Sequence, residues 1–330
     1  MTTLSAANPT LLDVANRIGP DGKIVKDIIE LLAETNEVLA DATWIECNDG
    51  TGHKTTVRTG LPSPTWRKLY GGVAETKSTT VQVRDACGME EAYSTIDAAL
   101  APLAGQAEWR MSEELSFIEA MNQGVADTLF YGDTTTTPEK FMGISPRFDS
   151  LSAENAANII SGGSNDTDNT SIYLVCWHPL TCTMLYPKGS QAGLQVRDLG
   201  EQTVYDASSN PFQALRTHYK WHCGLSVRDW RYVVRIPNIE VSDLVKDASS
   251  GADLVDLMVQ ALELLPGNAG MGRKAFYCNR TVRSYLRRQI KNKANLALSL
   301  DQVAGKQVLN FDGIPVRRCD SITNAEALVS

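Results

Sequence analysis

Histidine and cysteine are scarce in this chain of 330 residues, and their scarcity argues against several kinds of site. Only four histidines are present, and no motif places one beside a serine or cysteine nucleophile. The seven cysteines are scattered and odd in number, which is typical of free thiols in a reducing compartment. We therefore predict no catalytic residue and expect the chain to fold in a cytoplasm.

Long apolar runs and an excess of basic residues are also missing. The first residues, MTTLSAANPT, lack the basic and apolar regions of a secretory signal, and no uncharged apolar run reaches the roughly 18 to 20 residues of a membrane span. Acidic residues exceed basic ones by 39 − 31 = 8, a net repulsion for DNA and anionic membrane. These features predict a soluble, unexported protein without a membrane partner.

The segment GNAGMGRKA, residues 267–275, is the nearest match to a phosphate-binding loop. Gly267 and Gly272 have the required separation, but Arg273 stands where lysine is needed and Ala275 where serine or threonine is needed. A phosphate loop also follows a strand and opens a helix, whereas this segment follows a predicted helix and opens a predicted strand. We interpret it as a structural turn and predict no cofactor.

Two short segments have ligand spacings that zinc sites allow, CWHPLTC and HYKWHC. The candidate ligands are Cys176, His178, Cys182, His218, His222 and Cys223. Cys176 lies in an apolar predicted strand and His178 precedes a proline, so packed thiols and a histidine at a strand end explain the first group. We predict no metal site.

The periodicity of the chain predicts an α+β fold without βαβ rhythm or internal repeat. Helices are predicted at 26–39, at 108–131, near 179–186, at 251–267 and at 280–298. Strands are predicted in a long two-stranded excursion over 41–86 with a Gly/Pro-rich tip, and at 171–178, 223–241, 273–279 and 313–322. The segment FYGDTTTTPEKFMGI, residues 130–144, is expected to be a polar surface connection that ends the long helix and returns to the core.

The predicted helix at 280–298 is strongly basic. Its apolar residues Val282, Leu286 and Ile290 fall four apart on one face, and its cations are Arg280, Arg283, Arg287, Arg288, Lys291 and Lys293. A solvated or salt-bridged face explains such a helix, and so does contact with nucleic acid or with an acidic patch of a partner. Both interpretations stay open at this point.

Several segments together resemble the major capsid (coat) proteins of tailed double-stranded DNA bacteriophages of the short-tailed type. The resemblance begins in TNEVLADATWIECNDGTGHKTTVRTGLPSPTWRKLYGGV, residues 35–73, where the similar positions are Asn36, Glu46, Asn48, His53, Leu61, Pro62, Arg67 and Gly72. It continues in LFYGDTTTTPEKFMGI, GLSVRDWRYVVRIPNI, KAFYCNRTVRSYLRRQ and FDGIPVRRCDSI. The order and spacing of these segments carry the resemblance, which covers most of the chain.

The resemblance implies a Hong Kong 97-type capsid fold and a division of the chain into five parts. These are an N-terminal arm at 1–43, an extended hairpin loop at 44–86, a peripheral domain with a spine helix at 87–170, an axial domain at 171–298, and a return to the peripheral domain at 299–330. An arm and a hairpin that cannot bury themselves are explained if each lies across a neighbouring subunit. The division is an expectation from the resemblance.

The implied function is structural: self-assembly into pentamers and hexamers of an icosahedral shell around packaged double-stranded DNA, without sequence-specific contacts. The implied partners are other copies of the chain, a portal, a scaffolding protein and a cement or decoration protein. The implied location is the virion, assembled in the host bacterial cytoplasm. Two alternatives stay open, an encapsulin-like compartment that holds enzyme cargo and a nucleic-acid-binding protein that uses the basic helix at 280–293.

Twelve residues are predicted to make contacts between subunits. They are Ile28, Leu32 and Leu39 in the arm, Trp44, Arg58, Leu61, Pro62, Trp66 and Arg67 in the hairpin, and Arg283, Arg287 and Arg288 in the axial helix. Trp66 and Arg67 are of the residue types that carry interface energy. Some members of the implied family crosslink a loop lysine to a neighbour, and Lys54, Lys68 and Lys77 are available here. Nothing in the sequence identifies a partnered site, so we do not predict crosslinking.

Overall fold

The computed structural model describes residues 34–100, 106–164, 167–206, 208–245, 251–267, 272–292, 298–303 and 306–330. Most of the arm helix predicted over 26–39 lies outside these residues. Of its described part, 34–37 is not helical, and a single helical turn, α1 (Val38–Asp41), follows. Val38 is fully buried in the core of the chain, so the end of the arm is held by its own subunit.

The excursion after α1 is a long β-hairpin, as predicted. A short strand, β1 (Trp44–Glu46), leads into β2 (Gly52–Gly60), which pairs antiparallel with the first part of β3 (Thr79–Asp97). Residues 61–78 join the two strands without regular structure. β3 is longer than the predicted excursion, because its second part enters the body and pairs from Cys87 to Asp97 with another strand.

The long helix, α2 (Gln106–Tyr131), confirms the prediction of a helix at 108–131. Its C-terminal half is buried through Met121, Val125 and Leu129, which continue the predicted apolar stripe. The stripe is exposed farther toward the N-terminus, at Leu115 and Ile118. The long helix therefore packs into its own subunit over only part of its length.

The remaining strands join β1–β3 in one twelve-stranded sheet. They are β4 (Asn169–Trp177), β5 (Cys182–Tyr186), β6 (Gln195–Tyr205), β7 (Pro211–Val227), β8 (Val233–Glu240), β9 (Arg273–Cys278), β10 (Leu298–Val303), β11 (Lys306–Phe311) and β12 (Ile314–Arg318). The main path runs β10-β11-β12-β9-β4-β5-β7-β3-β2, while β1 pairs with β5, β6 with β7 and β8 with β4. Two further helices lie where they were predicted, α3 (Leu254–Glu263) and α4 (Arg280–Asn292). Asn279 precedes α4 and caps its N-terminus, because its side-chain oxygen accepts a hydrogen bond from Val282 N–H at 2.9 Å.

The prediction of a short helix near 179–186 is wrong. Residues 182–186 form β5, which pairs with β7 and carries the fully buried residues Cys182, Met184 and Leu185. His178 to Thr181 make a tight turn, with Thr181 N–H donating to the carbonyl of His178 at 3.0 Å. A strand so short and so fully buried lacks the alternation that distinguishes strand from helix in a sequence.

Strand β4 separates two hydrophobic cores, because its side chains alternate between the two faces of the sheet. Tyr173 and Val175 face the first core, which contains the C-terminal half of α2. Ile172 and Leu174 face the second core, which contains α3 and α4. Every residue of β4 is buried, as expected of a strand that is covered on both faces.

The threonine segment after α2 is a closed polar loop, and the expectation of a connection at the end of the long helix is confirmed. Gly143 N–H donates to the Gly132 carbonyl at 2.7 Å, and Ile144 N–H donates to the Leu129 carbonyl at 2.9 Å. Glycine is required at both positions, because a Cβ on Gly132 would lie 2.4 Å from the Phe141 oxygen and one on Gly143 would lie 2.7 Å from the Thr128 oxygen. These two hydrogen bonds hold the start and the end of the loop together.

Candidate intersubunit surfaces

The tip of the hairpin exposes a cluster of large apolar side chains, which we call the tip cluster: Leu61, Trp66, Leu69 and Tyr70, each 78–102% exposed. Pro62 and Arg67, also predicted contact residues, are exposed in the same segment. The segment is ordered locally by a turn, in which Gly71 N–H donates to the Lys68 carbonyl and Arg67 Nε donates to the Gly71 carbonyl at 3.0 Å. An apolar cluster at the end of a projection is typical of a surface that binds a partner.

The strands of the hairpin pair in regular register from Gly52–Ala86 to Arg58–Thr80, with an irregularity before Gly60–Thr79. Their side chains are mostly polar and exposed, and Arg58 is exposed among them. Backbone pairing therefore holds the hairpin together, and a two-stranded hairpin of this kind is marginal in water without further support.

The base of the hairpin is fixed to the body through Asp85, whose side chain is 5% exposed. Arg147 Nη2 donates to one of its carboxylate oxygens at 2.9 Å, and Ser226 Oγ donates to the other at 2.7 Å. Arg147 follows the threonine loop and Ser226 lies in β7, so one carboxylate joins three parts of the chain. The projecting hairpin consequently starts from a fixed point.

The end of the arm is held by ion pairs between acidic residues around α1 and arginines of the body. Asp41 lies 2.9 Å from Arg317 Nε, and Glu37 lies 3.4 Å from Arg317 Nη1 and 3.9 Å from Arg283 Nη1. Arg283 was predicted as a contact between subunits, and its guanidinium is already engaged with the arm of its own subunit. These ion pairs fix residues 37–41 on the body.

The basic helix α4 presents an apolar face to the second core and a charged face to solvent, and its hydrophobic stripe is confirmed at Val282 and Leu286. Arg287 and Arg288 are exposed, and the guanidinium carbon of Arg288 lies 5.1 Å from the ring centre of Tyr285. This face is available for contact with a partner or with nucleic acid.

Trp44 and Leu39 are partly buried against the first core of their own subunit. The indole of Trp44 stacks on Trp221 with 6.5 Å between ring centres. Ile28 and Leu32 lie outside the described residues. Among the predicted contact residues, those of the hairpin tip are exposed, whereas Leu39, Trp44 and Arg283 contact their own subunit.

The candidate metal ligands form no common site in the part of the chain that the structure describes. Cys176 and Cys182 are buried thiols, and burial raises their pKa values. His218 and His222 instead bind the carboxylate of Glu91 on the neighbouring strand β3, each through Nε2 at 3.1 Å. Hydrogen bonds from His222 and then His218 lower the pKa of Glu91 against the effect of its burial.

The glycine segment at 267–275 keeps the order that was predicted, since it follows α3 and opens β9 at Arg273. Residues 268–271 lie outside the described residues. A Cβ on Gly272 would lie 2.6 Å from Cys176 Sγ, so this glycine is explained by close packing against β4.

None of the helices in the described ranges is long and apolar enough to cross a membrane.

The exposure of Leu115 and Ile118 on α2 was not predicted from the sequence. Periodicity identified these residues as part of one apolar face, but it could not show which residues of that face the subunit leaves exposed. Leu115 and Ile118 are therefore, like the residues of the tip cluster, large apolar side chains that the described part of the subunit leaves exposed.

Comparison with known proteins bears on what these surfaces do. The family model described as major capsid protein GP7 matches residues 19–330. A chain in the near-atomic structure of bacteriophage Epsilon15 is 38% identical, with a TM-score of 0.79, and the match covers 100% of this chain and 99% of that one. No curated protein matches the chain.

Other solved structures match this chain with much lower sequence identity and lower TM-scores. A chain of Microbacterium phage Oxtober96 is 11% identical with a TM-score of 0.44, covering 70% of this chain and 99% of that one. An encapsulin complex from Synechococcus elongatus gives 12% identity and a TM-score of 0.44, covering 70% of this chain and 96% of that one.

The family model and the Epsilon15 similarity cover nearly the whole chain, whereas the encapsulin similarity is remote. They favour a phage capsid subunit over a cargo compartment and over a nucleic-acid-binding protein. The fold is of the Hong Kong 97 type, like that of the Epsilon15 chain, and the protein is a capsid component of the virion. The chain belongs to the GP7 family of phage major capsid proteins.

Proposed function

We propose that this capsid protein assembles with copies of itself into the pentamers and hexamers of an icosahedral shell that encloses double-stranded DNA. The tip cluster carries the proposal. Trp66 and Tyr70 are fully exposed at the end of a hairpin that has no core of its own. Burying side chains of this size stabilises an association by about 1.5–3 kcal/mol each, which a neighbouring subunit can supply.

The contacts between subunits are proposed to come from three places. The tip residues Leu61, Pro62, Trp66 and Arg67, with Arg58 on the hairpin, lie across one neighbour. The arm is proposed to lie across another neighbouring subunit through Ile28 and Leu32, which precede the ion pairs of Glu37 and Asp41 with Arg317. We keep the division into arm, hairpin, peripheral and axial parts at residues 43, 86, 170 and 298 as part of this proposal.

The exposed arginines of α4 are proposed to face a neighbouring subunit near the axis of the pentamer or hexamer. Arg287 and Arg288 are free of the ion pairs that hold Arg283 among the described residues. The net charge of −8 supports a shell that encloses DNA without binding it tightly, because acidic subunits repel the DNA phosphates. The DNA contacts are proposed to be independent of sequence.

The further partners are inferred from the requirements of filling a closed shell. DNA must enter through a portal, and a scaffolding protein and a cement or decoration protein are proposed to guide and reinforce the assembly. We place the assembly in the cytoplasm of the host bacterium, consistent with seven cysteines that are free thiols in the structure. The product is the virion capsid.

The test is assembly of the purified full chain, observed by negative-stain electron microscopy and sedimentation velocity. We expect shells, tubes or capsomers from the unmodified protein and a shift toward unassembled subunits for Trp66→Ala. Leu180→Ala is the matched control, because Leu180 is an exposed leucine far from the hairpin in sequence. A chain that stays monomeric across protein concentration and salt would overturn the proposal.

A further inference from the structure

Two thiols meet at the base of the hairpin. The sulfur atoms of Cys47 and Cys87 lie 3.4 Å apart, and both cysteines are free. Cys47 follows β1 directly and is 3% exposed, whereas Cys87 lies within β3 and is only partly buried. The pair therefore sits where the chain enters the hairpin and where it leaves it.

The backbone holds both residues in place. Cys47 N–H donates to the Tyr186 carbonyl at 2.9 Å, and Cys87 N–H donates to the Thr51 carbonyl at 3.1 Å. The neighbouring pair Gly52–Ala86 begins the ladder between β2 and β3. The two thiols thus face each other because of the strand register.

We propose that Cys47 and Cys87 form an oxidation site, at which a peroxide converts the two thiols into a disulfide that closes the hairpin at its base. A disulfide needs a sulfur–sulfur distance of about 2.05 Å, so the two sulfurs must approach by about 1.4 Å.

The chemistry balances with hydrogen peroxide as the oxidant. The thiolate of Cys47 attacks one peroxide oxygen, the O–O bond breaks, and the leaving hydroxide takes up the proton that Cys47 released on ionisation, which gives the first water. The sulfur of Cys87 then attacks the sulfenic acid of Cys47, the S–O bond breaks, and a second water carries away the proton of Cys87. Both sulfurs are oxidised and the peroxide is reduced, with two waters as the other product.

The surroundings assign the roles of the two sulfurs. The hydrogen bond from Cys87 lowers the pKa of the Cys47 thiol, although burial opposes this. The same hydrogen bond and burial raise the pKa of Cys87. The lower pKa makes Cys47 the more readily deprotonated thiol, so in the proposed step Cys47 attacks the peroxide and Cys87 is the resolving thiol.

The bond would matter mechanically because it encloses residues 47–87, which include β2, the tip cluster and the first part of β3. β3 is anchored in the body through its pairing with β7, whereas β2 contacts the body through the turn at 47–51 and through His53, whose Nε2 lies 2.8 Å from Arg228 Nη2. A disulfide would add a covalent bond between the turn that precedes β2 and the strand β3.

The experiment treats the folded full chain with hydrogen peroxide, blocks remaining thiols by alkylation, and maps peptides without reduction by mass spectrometry. We expect one linked pair of peptides, containing Cys47 and Cys87, with a loss of two hydrogens. Oxidised protein should also resist proteolysis within residues 47–87 several-fold longer than reduced protein. Cys319→Ser, a buried cysteine of the body, should leave the link unchanged.

Cys47→Ser and Cys87→Ser should each abolish the link, but the unmodified chain alone decides the matter if either variant fails to fold. A link between Cys87 and Cys223, whose neighbour Gly224 packs against Cys87, would overturn the proposal. So would further oxidation of Cys47 or Cys87 without any link in protein whose circular dichroism is unchanged.

Discussion

Arg235 Nη2 and Glu326 Oε2 lie 2.7 Å apart, and each of the two side chains is only 3% exposed. Glu326 belongs to the C-terminal segment, where its N–H donates to the Asn169 carbonyl of β4 at 2.9 Å. Ser171 and Tyr131 also donate hydrogen bonds to its carboxylate, and Arg235 Nη1 donates to the Phe148 carbonyl at 2.8 Å. One buried ion pair therefore joins the last residues of the chain to β8, to β4 and to the end of α2.

Replacing Arg235 by methionine should destabilise the subunit by about 3–5 kcal/mol, because it leaves the charge of Glu326 buried without a partner. Urea denaturation of the unassembled subunit measures this free energy of unfolding. The double variant Arg235→Met with Glu326→Gln should recover part of the loss. The control is Arg231→Met, which breaks an exposed pair with Asp229 at 2.7 Å and should cost below about 1 kcal/mol.

Glu90 should make the stability of the subunit depend on pH. It borders a cavity of about 320 Å³ between β3, α2 and the threonine loop, and burial raises its pKa to about 7, although Lys140 opposes the shift. The folded state therefore holds the proton more tightly than the unfolded state, whose glutamate pKa is about 4.3. The contribution of Glu90 to the stability of the subunit should therefore be complete below the unfolded pKa of about 4.3, and it should be lost as the pH rises to about 7.

Glu90→Gln should flatten this profile, since an amide does not titrate. Unfolding free energies at intervals between pH 4.5 and 8 provide the measurement. Glu139→Gln is the matched control, because Glu139 lines the same cavity but is exposed. A profile that keeps its slope in Glu90→Gln would show that another group is responsible.

The threonine loop should tolerate changes of side chain better than changes of length. Asp133 organises it by accepting from Thr135 N–H at 2.8 Å and from Thr135 Oγ1 at 2.7 Å, and these hydrogen bonds lower the pKa of Asp133. Shortening four threonines to two should break the closure between Gly132 and Gly143, at about 1 kcal/mol for each backbone hydrogen bond lost.

Thermal unfolding and particle yield measure the effect of this deletion. Thr134→Ala with Thr136→Ala, which keeps the length, serves as the control and should assemble normally. If the shortened loop assembles as well as the full one, the segment is slack.

The exposed arginines of α4 should act in assembly and not in folding. Arg287→Ala with Arg288→Ala should change the free energy of unfolding by less than about 0.5 kcal/mol, because neither side chain is buried. Assembly should be impaired at the same time, as measured by sedimentation.

DNA binding of the same variant separates two roles of this face. Loss of two phosphate contacts would reduce the slope of log K against log salt by about two. An unmodified chain without salt-dependent binding would leave the contact between subunits as the role of these arginines.

Local sequence patterns predicted the elements whose burial is regular. The helical period of the α2 stripe and the continuous apolar run of β4 are local features of the sequence, and both elements were found where expected. The predictions failed where partners decide the structure. β5 took its form from β4 and β7, and the exposed, mostly polar strand β6 was missed because its pairing with β7 defines it.

The candidate surfaces divide in the same way. Exposed Trp66 and Arg67 could be identified from a Gly/Pro-rich tip, because such a segment has nothing of its own to bury against. The pairing of His218 and His222 with Glu91, and that of Cys47 with Cys87, depends on the register between strands. No spacing along the chain encodes that register.

The continuity of β3 has a mechanical consequence. This strand of 19 residues, roughly 60 Å long, pairs with β2 in the projecting hairpin and with β7 inside the body, without an intervening joint. In the proposed shell, a force that a neighbour applies to the hairpin would be carried by β3 into the strands that pack against α2. The hairpin and the centre of the subunit are therefore linked mechanically through one strand.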